Sequence, residues 1–267
     1  MNKESRLQEA YLSRLEKQRR KIMAARILLA LAFFLLWETA ADRGWIDSFF
    51  FSSPSRLGRL FLSMWRDGSL FLHVGITLTE TLVSFALVVV IGLAVSLLLW
   101  LSDSVFQVPE PYLVILNSLP KSALAPLLIV WLGANSRTII VAGMSVAIFG
   151  TILNLYTGFT ETSREKIRLI YTLHGTKKDA LTKVVLPSTV PMIISIMKVN
   201  IGLCLVGVVI GEFIGARNGL GYLIIYGSQV FQLDLVILSI LILCLMAMLL
   251  YGGVTAAEKL YHRRQHA

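Results

Sequence analysis

Apolar residues run through this chain in long blocks separated by short polar stretches, with no sustained alternation. About 20 mostly apolar residues cross about 30 Å of hydrocarbon as a helix rising about 1.5 Å per residue. Blocks 22–41, 82–101, 112–133, 138–158, 190–210 and 235–257 reach that length. The third is interrupted by Pro120, Lys121 and Pro126, and the fifth contains Lys198. The missing period of two does not fit a transmembrane β-barrel. The pattern predicts an all-α protein of about six membrane-spanning helices.

The polar stretches have patterns of their own. Residues 1–21 are charged and helical in spacing, which predicts a surface helix on an anionic inner leaflet. In 42–73, Ser53-Pro54 places an N-cap before a proline at the first helical position. The helix that follows sets Leu57, Leu60, Phe61, Met64 and Trp65 on one side, with Arg56, Arg59 and Arg66 at its polar edge. That is an interfacial pattern. After Gly68, His73, Thr77, Glu80 or Thr81, and Ser84 recur at helical spacing, so the second span enters with a polar stripe that packs on protein or lines a wet cavity.

Segment 159–189 is the most informative. Residues 164–173 have helical periodicity, and His174-Gly175 breaks it. Thr176-Lys177-Lys178-Asp179 then opens a second helix with a capping-box pattern, Asp in place of the usual Glu or Gln. That helix carries Leu181, Val184 and Val185, and Leu186-Pro187 is expected to end it. A solvated connector has no need of such periodicity and capping. The reading is a protruding knob of two short helices, built to dock a cytoplasmic partner. After the fifth block, Gly211, Gly215, Gly219 and Gly221 allow tight turns, and 222–231 reads as an apolar re-entrant or interfacial helix.

Composition agrees: 56% of residues are hydrophobic, 15% are charged, and mean hydropathy is +0.73. The net charge of +9 and pI near 9.7 would suggest nucleic acid in a soluble protein. With the N-terminus in the cytoplasm, however, the basic residues crowd into 1–21 (Lys3, Arg6 and Arg14 among them), 159–189 and 258–267. The outside segments hold only Arg43, Arg56, Arg59, Arg66, Arg137 and Arg217. The excess is therefore topological, with both termini inside. The chain divides into a basic surface helix (1–21), a transmembrane domain (22–257) containing the cytoplasmic loop 159–189, and a cytoplasmic tail (258–267). Thr39-Ala40-Ala41 after an apolar run imitates a signal-peptide site, but five more spans follow a long basic region, so the first helix reads as uncleaved. Cys204 and Cys244 fall inside spans and read as small buried residues, not a disulfide or a metal pair.

Enzyme chemistry has no motif here: GxxxxGK[ST], HExxH, a CxxC pair and GxSxG are all missing, and Gly219-x-Gly221 alone is no nucleotide fingerprint. No metal site is expected. Lys121, Lys198, Glu212, Asn117, Asn154 and Asn200 lie at or near membrane depth. A Lys at a helix centre costs about 2.5–3.5 kcal/mol on insertion scales, so such groups face protein or water. Lys198 and Glu212 read as structural. Asn117, Pro120, Lys121 and Asn200 are candidates for a translocation pathway, with Lys121 equally placed to bond carbonyls freed by the proline break.

These residues resemble a known family. The knob is similar to the cytoplasmic signature of binding-protein-dependent ABC importer permeases, roughly EAA-x3-G-x9-I-x-LP. Counting back from Leu186-Pro187, the family glycine falls on His174, followed by the small residues Gly175 and Thr176; Val184 takes the apolar place. The EAA triplet falls on Arg168, Leu169 and Ile170 and is absent. Other motifs resemble the nitrate/sulfonate/taurine type: Leu119-Pro120-Lys121-Ser122-Ala123-Leu124-Ala125-Pro126-Leu127 with Trp131-Leu132-Gly133, Ser53-Pro54-Ser55, Lys198 where relatives often have Arg, Gly202, and Glu212 before Gly219-Leu220-Gly221-Tyr222-Leu223. The likeness covers about 50–260. It implies a type I importer permease fold with a coupling helix between spans four and five. The coupling residues would be His174, Gly175, Thr176, Lys177, Lys178, Asp179 and Pro187. It further implies a second permease copy, a cytoplasmic ABC ATPase dimer carrying the ATP and Mg, an extracytoplasmic solute-binding protein, and no cofactor on this chain. The solute would be a sulfonate, taurine, nitrate or similar. A pyrimidine or vitamin-like solute, an ion-coupled secondary transporter and a structural scaffold are the alternatives.

Overall fold

The computed structural model describes residues 3–265, the side chains of 3–16, Asp103, His262, Arg264 and Gln265 excepted. Lys3, Arg6 and Arg14 thus lie outside the described side chains. The chain divides into two compact units, 1–63 and 64–267.

The first unit opens with α1 (Lys3–Asp42), one continuous helix. No break separates a surface helix 1–21 from a span, because residues 15–25 contain neither Gly nor Pro and are mostly strong helix formers. Its apolar portion is exposed all round, Leu28 and Leu29 by 71% and 74%, as a helix bathed in lipid would be. A short α2 (Ser48–Phe51) follows, and Ser53 Oγ accepts from the Arg56 amide at 3.4 Å to open α3 (Pro54–Arg66) as the Ser-Pro pair predicts. Glu38 Oε2 accepts from the Ser55 amide at 3.0 Å, and Trp37 Nε1 donates to the Phe51 carbonyl at 3.2 Å. These bonds fasten the turn to the end of α1.

The second unit is built on three long helices: α4 (Ser69–Trp100), α8 (Ser136–Thr160) and α11 (Leu186–Gly215). Between them come α5 (Asp103–Gln107), α6 (Glu110–Ser118), α7 (Lys121–Leu132), α9 (Arg164–Thr172) and α10 (Lys177–Ala180); α12 (Leu220–Gln229) and α13 (Leu233–Gln265) complete the chain. Among the described residues five helices are long and apolar enough to cross a membrane, and the bent pair α6–α7 makes a sixth if counted as one span.

The polar stripe explains where α4 begins. The helix starts at Ser69, ahead of the apolar block at 82 and directly after Gly68 where the stripe begins, and buries His73, Thr77, Glu80, Thr81, Ser84, Val88, Gly92 and Ser96 along one face. Two of these bond the next helix: Ser84 Oγ donates to the Ile140 carbonyl at 3.0 Å and Ser96 Oγ to the Ile152 carbonyl at 3.1 Å. Small residues bring α8 and α11 together. A Cβ on Gly207 would stand 2.8 Å from Gly143 Cα and 3.0 Å from the Ala142 carbonyl oxygen, so the contact is backbone on backbone, as in membrane helix pairs.

The interruption expected in the third span is a sharp bend: α6 and α7 meet at 97°, because Pro120 cannot donate and holds Leu119 extended (ψ 140°). Two expectations are corrected. Pro187 does not end the knob's second helix. A π turn (Leu181–Val185) carries α10 straight into α11, re-registering the ladder just before the residue that lacks an N–H. Cys204 is buried as expected, but Cys244 is exposed.

Candidate functional site

The knob forms as its caps dictate. Ser163 Oγ accepts from the Lys166 amide at 3.5 Å to start α9. At its end the Gly175 amide donates to the Ile170 carbonyl (2.8 Å) and the His174 amide to that of Tyr171 (3.0 Å), a Schellman turn. That turn needs a left-handed residue, and His174 supplies it at φ 58°. This is the position on which the family glycine falls. Gly175 has no room for a side chain: a Cβ would lie 2.5 Å from Ile170 Cγ2 and 2.9 Å from the Ile170 carbonyl oxygen. The predicted capping box is present, with the Asp179 amide donating to Thr176 Oγ1 (3.2 Å) and the Thr176 amide to Asp179 Oδ2 (2.9 Å). Asp179 also pairs with Lys183 at 2.9 Å.

The base of the knob is bolted to the bundle. Val185 packs in a buried cluster with Trp100, Leu155 and Phe159, joined by Ile167, Leu181 and Met192, so the ends of α4, α8 and α11 share one core with α9 and the π turn. Gly158 lets Met192 lie against its Cα position, where a Cβ would collide with the thioether. Lys177 Nζ donates to the Leu101 carbonyl at 2.8 Å and sits 5.4 Å over the Trp100 ring. Lys178 stays exposed. Leu169, Tyr171 and Leu173 are also exposed (59%, 45% and 69%). The resemblance places coupling at His174, Gly175, Thr176, Lys177, Lys178, Asp179 and Pro187. The apolar face beside them escaped notice because helical periodicity cannot tell an inward apolar side chain from an outward one.

A second polar site lies between α6, α8 and α11. Asn117, Asn154, Asn200, Ser195 and Gly150 line a cavity of about 170 Å³. Asn200 is buried and donates to Thr151 Oγ1 at 2.8 Å, whereas Asn117 and Asn154 are exposed. Gly150 makes the room: a Cβ there would stand 3.1 Å from Asn117 Oδ1. Lys121 is engaged elsewhere. Its ammonium donates to the carbonyls of Leu116 (2.5 Å) and Asn117 (2.8 Å), the end of α6 that the Pro120 break leaves open. Lys198 pairs with Glu258 at 2.5 Å, tying α11 to α13. Among the described residues no three His, Cys, Asp or Glu side chains are grouped to hold a metal ion.

At the opposite end of the bundle, Glu212 organises the turn before α12. Its Oε1 accepts from Thr77 Oγ1 and its Oε2 from the Gly221 amide, both at 2.6 Å. The Leu220 amide donates to Thr77 Oγ1 (2.8 Å) and the Gly219 amide to His73 Nδ1 (3.0 Å). Gly219 has φ 113°, and a Cβ on it or on Gly221 would run into the Glu212 carboxylate. The glycines are there for that close approach, and the stripe on α4 supplies their partners.

The comparisons agree with this architecture. Residues 88–265 match the family described as the binding-protein-dependent transport system inner membrane component. The formylaminopyrimidine transport permease protein ThiX of Halalkalibacterium halodurans is 27% identical over 87% of this chain and 92% of its own length. The putative aliphatic sulfonates transport permease protein SsuC of Bacillus subtilis is 24% identical over 87% and 84%. A solved inward-facing conformation of the MetNI methionine ABC transporter shares the fold, with TM-score 0.62 and 20% identity over 69% of this chain and 92% of that one. With about two thirds of its length under the family model and its helices in that fold, the chain belongs to the binding-protein-dependent transport system inner membrane components.

Proposed function

We propose that the chain, paired with a second copy, forms the membrane pathway of an importer. A cytoplasmic ATPase dimer drives it through the knob, and an extracytoplasmic solute-binding protein feeds it. The observation that carries this reading is the knob's construction: a capped, glycine-dependent elbow presents Leu169, Tyr171 and Leu173 beside basic residues, while its base shares a core with α4, α8 and α11. A partner that moves the elbow therefore tilts three spans together. That is the two-state change alternating access requires. The N-terminus, knob and C-terminal tail face the cytoplasm, in keeping with the charge bias.

The solute passes the asparagine-lined cavity. A sulfonate, taurine or nitrate is the first reading, supported by the resemblance to permeases for such anions. The cavity favours a second. Its polar lining is uncharged and Lys121 is occupied by carbonyls, so amide donors and acceptors suit a neutral pyrimidine-like solute as well. The test reconstitutes the chain with its ATPase and binding protein in vesicles and follows ATP-dependent uptake of labelled taurine, alkanesulfonate, nitrate and formylaminopyrimidine. One of these accumulates in the wild type. Gly175→Val keeps the complex assembled and hydrolysing ATP but abolishes uptake, and Asn117→Ala lowers it. Uptake driven by a proton gradient with no ATPase present overturns the reading.

A further inference from the structure

Glu80 stands beside Glu212 in the interior of the second unit, and the clamp on the 219–221 turn does not account for it. Its side chain faces the Glu212 carboxyl group and the Ser136 hydroxyl. Both residues are almost wholly buried, 3% and 1% exposed. Both Glu80 oxygens are buried without a well-formed hydrogen bond, the neutral Ser136 hydroxyl being the donor they face. A cavity of about 200 Å³, lined by Glu80, Asn135, Ser136, Arg217 and Asn218, opens nearby but does not wet these atoms.

Two ionised carboxylates are acceptors only, so their contact would be a repulsion between buried like charges. Glu212 is already supplied with donors by Thr77 and the Gly221 amide. Glu80 faces only the Ser136 hydroxyl, without a well-formed bond. A single proton resolves both deficits, turning Glu80 into a donor and the contact into a hydrogen bond. Nothing larger fits against atoms with no accessible surface. The surroundings leave the task to a proton. His73 on α4 accepts from the Gly219 amide through Nδ1, Asn135 and Ser136 at the start of α8 are neutral, and Arg137 and Arg217 are exposed. Tyr222 on α12 stacks on His73.

We propose that Glu80 and Glu212 form one proton-binding site, a single proton held between their carboxyl groups, which keeps the 219–221 turn fastened to α4 and α11. Loss of the proton sets two negative charges against each other and loosens the turn. The site lies on α4 about 30 Å from Trp100, at the end of the helix away from the knob.

The test is the infrared spectrum of the purified full-length chain, with hydrogen exchange followed at the Gly219 and Gly221 amides. At neutral pH the wild type shows a protonated-carboxyl band equivalent to one residue. Glu80→Gln removes the band and keeps both amides protected at every pH, because its amide donates permanently. Raising the pH removes the band from the wild type and speeds exchange at both amides together. Absence of the band from wild type, its persistence in Glu80→Gln, or amide protection that ignores pH overturns the proposal. Should Glu80→Gln fail to accumulate, the wild-type titration decides alone.

Discussion

Lys177 Nζ donates to the carbonyl oxygen of Leu101 at 2.8 Å across 76 residues of sequence, joining the elbow of the knob to the end of α4. A cation on the last carbonyls of a helix is favourable, by about 0.5–1 kcal/mol at an exposed site. Lys177→Met removes both that bond and the contact over Trp100. The expected outcome is a small fall in thermal stability and a several-fold loss of ATP-driven uptake with ATP hydrolysis retained; Lys177→Arg preserves most of the uptake. Uptake in Lys177→Met equal to wild type would show that α4 receives its motion through the apolar core alone.

His174 occupies a left-handed position at some cost to itself. Left-handed backbone disfavours a side-chain-bearing residue by about 1–2 kcal/mol relative to glycine. His174→Gly is therefore expected to raise the melting temperature of the purified chain without lowering uptake, and His174→Val to lower it. A His174→Gly variant that melts below wild type would mean that the imidazole contributes more than the backbone costs.

Lys198 and Glu258 form an ion pair with side chains only 18% and 22% exposed. Removing one partner strands the other in apolar surroundings, so Lys198→Ala and Glu258→Ala are each expected to destabilise by about 1–3 kcal/mol. The double variant loses less than the sum of the two. Chemical or thermal unfolding of the four proteins in detergent gives the coupling, and strict additivity would rule the pair out as a link between α11 and α13.

Two glycines of α11 separate packing from propensity. Gly207→Val forces the backbones of α8 and α11 apart and is expected to cost about 2 kcal/mol or more. At Gly202 an added Cβ meets nothing within 4 Å. Gly202→Ala is expected to stabilise the purified chain by about 0.5–1 kcal/mol through backbone entropy. Equal effects at both sites, read by thermal unfolding, would contradict the close approach at Gly207.

Local chemistry was legible in the sequence. Thr176 and Asp179 cap α10 as their three-residue spacing dictates, and the break at His174-Gly175 falls where periodicity stops. Span existence followed from apolar length. What escaped was whatever depends on distant partners. The stripe after Gly68 reads as a face that packs on protein or lines a cavity, but hydropathy names no partner for it; the 219–221 turn that His73 and Thr77 bond lies more than 140 residues away. Glu212 reads as a structural residue, but its partner Thr77 is 135 residues away, beyond any local pattern. Pro187 reads as a terminator because the π turn that accommodates it has no sequence signature of its own.

From Lys177 to Gly215 the backbone is helical without a gap, 39 residues and so about 58 Å of rod. A rod of that kind conveys torque as well as thrust. The π turn and Pro191 both lie near the elbow, and beyond them no proline interrupts the shaft before Gly215. Rotation entering past Pro191 would therefore be carried along one continuous helix to Glu212, and the 219–221 turn would be expected to move in step with the knob.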